Sequence, residues 1–351
     1  MMKTTLYKTG LNAIYYTGAF RALRKNVCGV GAMFTLHRVR PSTAQRAFAP
    51  NRILEITPDF LETSIIRVRQ LGYQIVSLDE FHRRLVERDF SEPFVSFTLD
   101  DGYADNYLHA FPVFKKHNVP FAIYVCTGIV DGTARLWWRV LEEVVFAENV
   151  VTLLMDGRLR SFQTATTKQK YRAFNEIYWS LRGMAHETQM AAMDDLEQRY
   201  VQSAANSRGT DEPASWEMLS EMLGTGLLTV GAHTITHDAL SKLPESRVME
   251  EMKDSQKRLE KELGVAVKHF AYPYGDAASA AGREFKIAKM LGFATAVTTR
   301  KGGVQPDHAD HLHALPRVSL NGDYQDPRYV DLFLSEVPFF LARGLRRLDV
   351  E

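Results

Sequence analysis

Long apolar runs are missing from this sequence. No stretch reaches the roughly eighteen consecutive apolar residues that a membrane-spanning helix needs. The N-terminus also lacks a compact apolar segment followed by small residues, the pattern of a cleaved secretion signal. We therefore expect no membrane-spanning segment and no removal of the N-terminus. We expect the protein to lie in the cytoplasm, either free or at the inner face of the membrane.

An excess of one charge is also missing, and cysteine is scarce. With 43 basic and 42 acidic side chains among 351 residues, nothing favours nucleic acid as a partner. Cys28 and Cys126 are the only cysteines, and both lie in apolar, strand-like runs where a buried free thiol is the expected state. They do not imply an oxidising compartment. No glycine-rich phosphate loop follows a strand-like run, which argues against a nucleotide cofactor.

Strand-like and helix-like patterns alternate along most of the chain. This alternation predicts an α/β fold with a parallel sheet or barrel of seven or eight strand and helix units. The alternation breaks between about residues 131 and 215, where Asp156-Gly157 joins two strand-like runs into a predicted hairpin and two polar helical stretches follow. We interpret this segment as an insertion that leaves from the end of a strand, the side of a barrel that carries function.

Both ends of the chain are amphipathic. Residues 3–25, within an N-terminal segment 1–28, are predicted to form one helix with an apolar stripe between basic side chains. A second such helix is predicted at residues 329–347, within a C-terminal segment 326–351. It ends in Arg343, Arg346 and Arg347. A basic amphipathic helix is typical of attachment to a membrane surface, but either helix can equally close the barrel.

Two adjacent acids, Asp100 and Asp101, stand at the end of the apolar run 94–98. In parallel α/β sheets the chemistry lies at the carboxyl ends of the strands. An ordinary Asp-Gly turn beside a solvated acid would explain the same residues if they stood alone. A second cluster downstream favours an active site.

The second cluster is the pair His233 and His237, which follows the apolar run 227–230. Four residues are about one helical turn, so a helix at this point would project both imidazoles to one side. Two histidines and one carboxylate leave a position open for water, as catalytic zinc sites do. We therefore predict a metal site made by the two clusters together.

These residues, together with Phe270-Ala271-Tyr272-Pro273-Tyr274-Gly275, resemble the polysaccharide deacetylase family, also called the NodB-homology or carbohydrate esterase 4 family. The likeness extends from about residue 32 to about residue 320. It implies a distorted (β/α) barrel of seven or eight units, assigned here to residues 29–325. It also implies a hydrolase that acts on a linear amide bond.

The resemblance implies a role for each motif residue. Asp100 would be the general base. Asp101, His233 and His237 would bind a divalent metal, first of all Zn²⁺, with Co²⁺, Ni²⁺ or Mn²⁺ as alternatives. A backbone amide at Tyr274 would stabilise the oxyanion.

Two positions depart from the family pattern. The arginine that usually stands two residues before the proline is replaced by Ala271. We predict that Arg317 orients Asp100 instead, with a plain structural salt bridge as the alternative. The late Leu-x-His motif, which supplies a general acid, is not cleanly present. The acid therefore stays open among metal-bound water, His37, His311 and His313.

Several side chains near these motifs are candidates for substrate contact. His37 would face the site if it corresponds to the first motif of the family, and a histidine bonded to backbone is the alternative. Tyr103 and Trp138 could stack on a sugar ring, whereas packing of the turn and of the insertion would explain them equally. Tyr272 and Pro273 flank the oxyanion turn.

The resemblance implies that the substrate is an N-acetylated or N-formylated amino sugar in a polysaccharide, an oligosaccharide or a lipid-linked glycan. Two other classes stay open. One is a carbohydrate-binding relative without activity, which the loss of a metal or base residue would favour; all four positions are filled. The other is a metal-dependent amidohydrolase acting on a small amide outside glycans.

Overall fold

The architecture is described from a computed structural model, which covers residues 2–42, 46–205 and 212–344. The strands in these ranges are β1 (Gly31–Leu36), β2 (Arg38–Val39), β3 (Glu55–Ile56), β4 (Gln74–Ile75), β5 (Phe94–Asp101), β6 (Phe121–Val125), β7 (Val150–Met155), β8 (Arg158–Gln163), β9 (Leu228–Ala232), β10 (His269–Ala271), β11 (Thr295–Lys301) and β12 (Leu315–Ser319).

The α-helices in the same ranges are α1 (Met2–Tyr16), α2 (Ala19–Val27), α3 (Pro58–Gln70), α4 (Leu78–Glu87), α5 (Phe111–His117), α6 (Thr127–Val130), α7 (Trp137–Ala147), α8 (Thr167–Gly183), α9 (His186–Arg199), α10 (Val201–Ala205), α11 (Trp216–Gly224), α12 (Glu245–Leu263), α13 (Gly282–Met290), α14 (Pro327–Leu334) and α15 (Val337–Ala342). Short turns of 3₁₀-helix lie at Pro50–Leu54, Leu240–Lys242 and Pro306–Asp310, and a π-helical turn at Asn106–Ala110 precedes α5.

Seven parallel strands form a closed barrel. Their order is β1, β5, β6, β9, β10, β11 and β12, and β12 pairs with β1 to close the circle. β4 pairs only with the beginning of β5. The predicted α/β barrel is therefore confirmed, with seven strands. Because all seven strands are parallel, the residues that follow them meet at one end of the barrel.

Side chains alternate between the inside and the outside of the barrel. The inward-facing set includes Met33, Tyr124 and Val297, and Phe81 and Leu85 of α4 join it. Phe81 packs edge-on against Phe94 at the start of β5, so α4 plugs the N-terminal end of the barrel. The outward-facing residues pack against the surrounding helices.

The terminal segments differ from the single helices expected. The N-terminal segment forms two helices, because Gly18 adopts a left-handed conformation with φ of 71° between α1 and α2. At the other end Glu336, with φ of 59°, separates α14 from α15. Side chains such as Val330 and Phe333 belong to the main core, which favours packing on the barrel for the C-terminal segment. Arg346 and Arg347 lie outside the described residues.

Between β6 and β9 the chain forms a small unit with its own core. β7 and β8 pair as an antiparallel hairpin around Asp156-Gly157, as predicted. Side chains of α7, β7 and α8 pack together, with Phe48 from the preceding part of the chain among them. The chain returns beside the acid-bearing turn, where Ala104 N–H donates to Glu212 O over 2.9 Å and Ala214 N–H donates to Gly102 O over 2.9 Å. In the described residues, none of the helices is both long and apolar enough to cross a membrane.

Candidate active site

The carboxyl end of the barrel gathers the residues that the sequence singled out. Asp100 and Asp101 end β5, His233 follows β9, and Tyr274 lies three residues beyond β10. His37 directly follows β1. Four strand ends therefore contribute to one site.

Asp101, His233 and His237 form a buried cluster. The Oδ1 atom of Asp101 lies 3.1 Å from Nε2 of His237 and 3.5 Å from Nε2 of His233. One potential ligand atom from each residue lies within 4.8 Å of the others. Although both nitrogens are near, neither contact has hydrogen-bond geometry, and Oδ1 has no hydrogen-bond partner within the described residues. A buried, unsatisfied carboxylate oxygen facing two ring nitrogens fits a bound divalent cation.

A hydrogen bond from the nitrogen on the far side of the ring sets the orientation of His233. Its Nδ1 lies 2.7 Å from the carbonyl oxygen of Ala271. A carbonyl only accepts hydrogen bonds, so Nδ1 carries a proton and Nε2 is the nitrogen that faces Asp101. Such a hydrogen bond on the far nitrogen is the usual means of fixing a metal-binding histidine. The chemistry of this donor set therefore suits Zn²⁺.

The chain does not turn into a helix at the two histidines. Residues 233–239 form a loop, in which Thr234 and His237 have φ of 65° and 62°. The hydroxyl of Thr234 accepts the N–H of His237 over 3.1 Å, which replaces helical hydrogen bonding. The loop still brings the two imidazoles together, with ring centroids 5.0 Å apart.

Glu251 of α12 holds this loop, and the sequence analysis missed it. Its Oε2 accepts the N–H of Ile235 over 2.9 Å and the N–H of Thr236 over 3.0 Å. The side chain is 1% exposed. The signal was the periodicity of α12, since position 251 lies on the same helical face as the buried Val248 and Met252.

Asp100 and Arg317 form a bidentate pair inside the barrel. Nη1 of Arg317 donates to Oδ1 over 2.7 Å and Nη2 donates to Oδ2 over 2.6 Å. Nε donates to the carbonyl oxygen of Thr298, which holds the guanidinium plane. Burial alone would raise the pKa of Asp100, but the charge and hydrogen bonds of Arg317 outweigh it and lower that pKa. The contact predicted for Arg317 is present; its role in the reaction remains a proposal.

Among the histidines considered as acids, His37 lies at the catalytic end. Burial lowers its pKa, although the negative charges of Asp101 and Asp100 act to raise it. His311 and His313 precede β12 and therefore lie at the opposite, N-terminal end of the barrel. His313 Nε2 lies 2.7 Å from the carbonyl oxygen of Phe293, which precedes β11.

The turn at Tyr274 carries a backbone N–H without a partner. Tyr274 has φ of 61°, and within the described residues its N–H has no hydrogen-bond acceptor. Its ring lies edge-on to the His237 ring at 4.9 Å. The hydroxyl accepts a 2.8 Å hydrogen bond from Nε1 of Trp137, and the guanidinium of Arg182 lies 3.7 Å from the ring centre. Two side chains of the insertion therefore fix the residue that carries the free N–H.

Trp138 lies at the site. Its ring centre is 4.9 Å from that of His237 and 6.1 Å from that of Tyr274, and its side chain is buried. Within the described residues its indole N–H has no acceptor. Pro273 is also buried, and its carbonyl oxygen accepts the N–H of Gly275 over 2.7 Å.

Two of the predicted substrate contacts are contradicted by burial. Tyr103 is 1% exposed and lies under the guanidinium of Arg38, so neither ring face can receive a sugar. Tyr272 is completely buried in the outer layer of the barrel, where its hydroxyl donates to the carbonyl oxygen of His313 over 2.9 Å. Both tyrosines pack beside the motif residues.

Comparisons with known proteins agree with this site. The sequence profile of the family described as polysaccharide deacetylase matches residues 87–296, which include the acid pair, the histidine pair and the Tyr274 turn. A comparison with curated proteins gave no match.

Solved structures of similar fold come from several bacteria. The deacetylase PplD of Streptococcus pyogenes, in complex with acetate, is 17% identical over 90% of this chain and 98% of its own, with a TM-score of 0.55. IcaB of Ammonifex degensii is 22% identical over 88% of this chain and 97% of its own, with a TM-score of 0.56. A de-N-acetylase of Aggregatibacter actinomycetemcomitans is 14% identical over 86% of this chain and 99% of its own, with a TM-score of 0.54. At these identities the likeness concerns the fold.

Proposed function

The chain belongs to the polysaccharide deacetylase family and is a hydrolase of sugar N-acyl amide bonds; we propose that it works with a divalent metal held by Asp101, His233 and His237. One observation carries the proposal most directly. The buried three-ligand cluster lies at the same barrel end as a carboxylate in a bidentate ion pair and a free backbone N–H. These are the parts that amide hydrolysis needs.

Each group of the chain has a separate task in the proposed reaction. A bound Zn²⁺ would lower the pKa of a water molecule and polarise the acyl oxygen. Asp100 accepts the proton of the attacking water, and Arg317 holds the carboxylate in one orientation. The free N–H of Tyr274 donates to the oxyanion that develops on the acyl carbon. Asp100 and Asp101 divide the work because only Asp101 lies in the metal-binding cluster.

The leaving amine must receive a proton as the carbon–nitrogen bond breaks. Burial lowers the pKa of His37, which disfavours the protonated imidazole that a general acid needs. We propose that the proton taken up by Asp100 passes to the amine nitrogen. The carbon–nitrogen bond breaks as this proton arrives, which gives a carboxylic acid and a free amine. The remaining proton of the acid then passes to the amine, so one amide and one water yield a carboxylate and the ammonium form of the amino sugar.

The proposed substrate is an N-acetyl or N-formyl amino sugar in a polysaccharide, an oligosaccharide or a lipid-linked glycan. Zn²⁺ is the proposed metal, with Co²⁺, Ni²⁺ and Mn²⁺ as alternatives. The cytoplasmic location and the peripheral membrane contact of the terminal segments remain predictions.

Release of the acyl group tests the function. Purified protein would be incubated with N-acetylated oligosaccharides and with lipid-linked N-acyl sugars, and acetate or formate and the free amine would be measured by mass spectrometry. We expect product with the zinc-loaded wild type and none with Asp100→Asn. Absence of product from every N-acyl glycan, with metal bound, would contradict the proposal.

A further inference from the structure

Tyr124 is a large side chain inside the barrel, and the reaction described above gives it no task. It is completely buried and belongs to the inward-facing set. In the register of the sheet it is the partner of Asp100 on β5 and of Gly231 on β9. Side chains at paired positions of neighbouring strands point to the same face of a sheet. Tyr124 therefore enters the barrel interior at the level of the proposed base.

Gly231 makes room for the ring of Tyr124. A Cβ atom at position 231 would lie 2.3 Å from Cδ1 and 2.6 Å from Cε1 of that ring, far closer than the contact distance of two carbon atoms. Ala271 on β10, the strand that pairs with β9, is also small and lies in the same inward-facing cluster. Two small residues on neighbouring strands thus leave a space that the Tyr124 ring fills.

Arg317 lies over this ring. Its guanidinium carbon is 5.6 Å from the ring centre of Tyr124, within the range of a cation–π contact. The guanidinium donates hydrogen bonds to Asp100, to the hydroxyl of Thr98 and to the carbonyl oxygen of Thr298. Because the N–H groups of a guanidinium lie in its plane, these bonds do not cover its two faces. The Tyr124 ring covers one of them.

The ion pair above the ring is removed from solvent. The side chain of Arg317 is 0% exposed and that of Asp100 is 2% exposed. A buried ion pair is stable only where its geometry is well held and its remaining polar groups are satisfied. Loss of the ring would open a cavity against the guanidinium, which would let water enter and Arg317 tilt. The orientation of the base therefore depends on the ring beneath its partner.

We propose that Tyr124 is a positioning residue: its ring, seated on Gly231, supports the guanidinium of Arg317 and thereby orients the Asp100 carboxylate. The catalytic consequence rests on the proposed function, whereas the support of Arg317 is a property of the fold. Because Tyr124 is completely buried, its loss should not change how substrate binds. The effect of losing the ring therefore falls on kcat and not on KM.

Two variants of Tyr124 separate the ring from its hydroxyl. The hydroxyl has no hydrogen-bond partner within the described residues, so Tyr124→Phe should keep kcat within about twofold of wild type. Tyr124→Leu removes the ring, and we expect kcat to fall by about tenfold or more with KM and zinc content unchanged. Release of acetate from an N-acetylated oligosaccharide by zinc-loaded protein is the measurement. An equal loss in both variants would assign the effect to the hydroxyl and overturn the role of the ring.

Phe81→Leu is the matched control for lost packing. It removes a completely buried ring from the same inward-facing cluster, but at the N-terminal end of the barrel. We expect both leucine variants to lower the thermal midpoint, and only Tyr124→Leu to lower kcat. An equal fall of kcat in Phe81→Leu would make the effect a general loss of packing and overturn the proposal.

Hydrogen exchange at Nε of Arg317 tests the support without any substrate. Nuclear magnetic resonance of zinc-loaded protein with isotope-labelled arginine would follow this signal, identified by its loss in Arg317→Lys. We expect exchange to become at least about tenfold faster in Tyr124→Leu, and to stay as in wild type in Tyr124→Phe and Phe81→Leu. Unchanged exchange in Tyr124→Leu would overturn the proposal. The expected exchange pattern in a protein that releases no acyl group would instead contradict the proposed function and leave the support of Arg317 established.

Discussion

Backbone strain is concentrated at the residues of the site. Eight non-glycine residues have positive φ in the described ranges, and four of them lie here: Asp101, Thr234, His237 and Tyr274. Each such conformation costs about 1–2 kcal/mol for an L-residue. The strain turns the Asp101 carboxylate, the His237 imidazole and the Tyr274 N–H toward one opening, which regular strand or helix geometry would not do.

Loss of one ligand should abolish tight metal binding. His237→Ala leaves two ligands in a site that is open on one side, so we expect affinity for zinc to fall by orders of magnitude. Metal content after dialysis against a chelator is the measurement, and the thermal midpoint of the apoprotein is the control. A full equivalent of zinc in the variant would remove His237 from the ligand set.

Asp100→Asn should remove turnover while metal content stays the same. An amide of the same shape cannot accept a proton from water, so kcat should fall by about 10²–10⁴-fold. Single-turnover kinetics with zinc-loaded protein measures this. Activity within a few-fold of wild type would exclude Asp100 as the base.

Arg317→Gln should move the acidic limb of the pH profile of kcat/KM to higher pH. Arg317 lowers the pKa of Asp100, so the carboxylate stays ionised to lower pH than an ordinary buried acid. Without the guanidinium, burial raises that pKa, and the base is protonated at a pH where the wild type is active.

Arg317→Lys is the matched variant for this prediction. It keeps the positive charge but loses the planar fork, so we expect a smaller pH shift with a clear loss of kcat. The effect of either variant should not add to that of Asp100→Asn, because residues that act as one unit are not additive. An unchanged acidic limb of the pH profile in the Arg317→Gln variant would show that Arg317 does not control the pKa of Asp100.

At the scale of elements, the loop after β9 depends on its neighbours. Its Thr234 carbonyl accepts the N–H of Thr127, and the Ile235 carbonyl accepts the N–H of Gly128. A Cβ at Gly128 would lie 2.2 Å from that same Ile235 oxygen. The start of α6 and Glu251 of α12 therefore hold the histidine loop from two sides.

Glu251→Ala should weaken metal binding although it touches no ligand. The N–H groups of Ile235 and Thr236 lose their acceptor, so the loop no longer holds its strained geometry, and outer partners of this kind are worth about 10–100-fold in metal affinity. Zinc titration measures the effect. Glu250→Ala, at the exposed neighbouring position, is the control and should bind metal like the wild type. Equal affinities in the two variants would contradict the role of Glu251.

At the scale of the whole molecule, the insertion supports the catalytic turn from outside the barrel. Arg182 of α8 lies over the Tyr274 ring and donates to Asp276 over 2.7 Å, and Trp137 of α7 bonds the Tyr274 hydroxyl. The insertion thus reaches the same turn that supplies the free N–H. These three contacts couple a separately packed unit to the barrel.

Arg182→Met should lower kcat by about tenfold with little change in KM. The methionine keeps apolar bulk but removes the cation over Tyr274 and the bond to Asp276, so the N–H of Tyr274 is held less firmly where the oxyanion forms. Steady-state kinetics measures the split between kcat and KM. Arg160→Met, which removes the exposed pair with Glu176 in the same unit, should behave as wild type. A rise in KM alone would point to substrate binding instead.

The sequence by itself determined the barrel and the identity of its chemical groups. Alternating strand and helix patterns depend on local side-chain periodicity, and the turn residues Asp156-Gly157 predicted the hairpin that joins β7 and β8. The carboxylates and imidazoles at strand ends were visible because parallel topology sends every strand end to one side. The Arg317 contact followed from the same topology.

The tertiary structure decided how those groups are oriented. Positive φ at Thr234 and His237 is stable only because distant residues such as Glu251 supply hydrogen bonds, and no pattern within the loop encodes them. Side-chain packing likewise separated Trp138, whose ring reaches His237, from Tyr103, which lies under Arg38, and from Tyr272, whose hydroxyl bonds the carbonyl oxygen of His313. Local sequence specifies which groups are present, whereas long-range packing and hydrogen bonding specify the direction in which each one points.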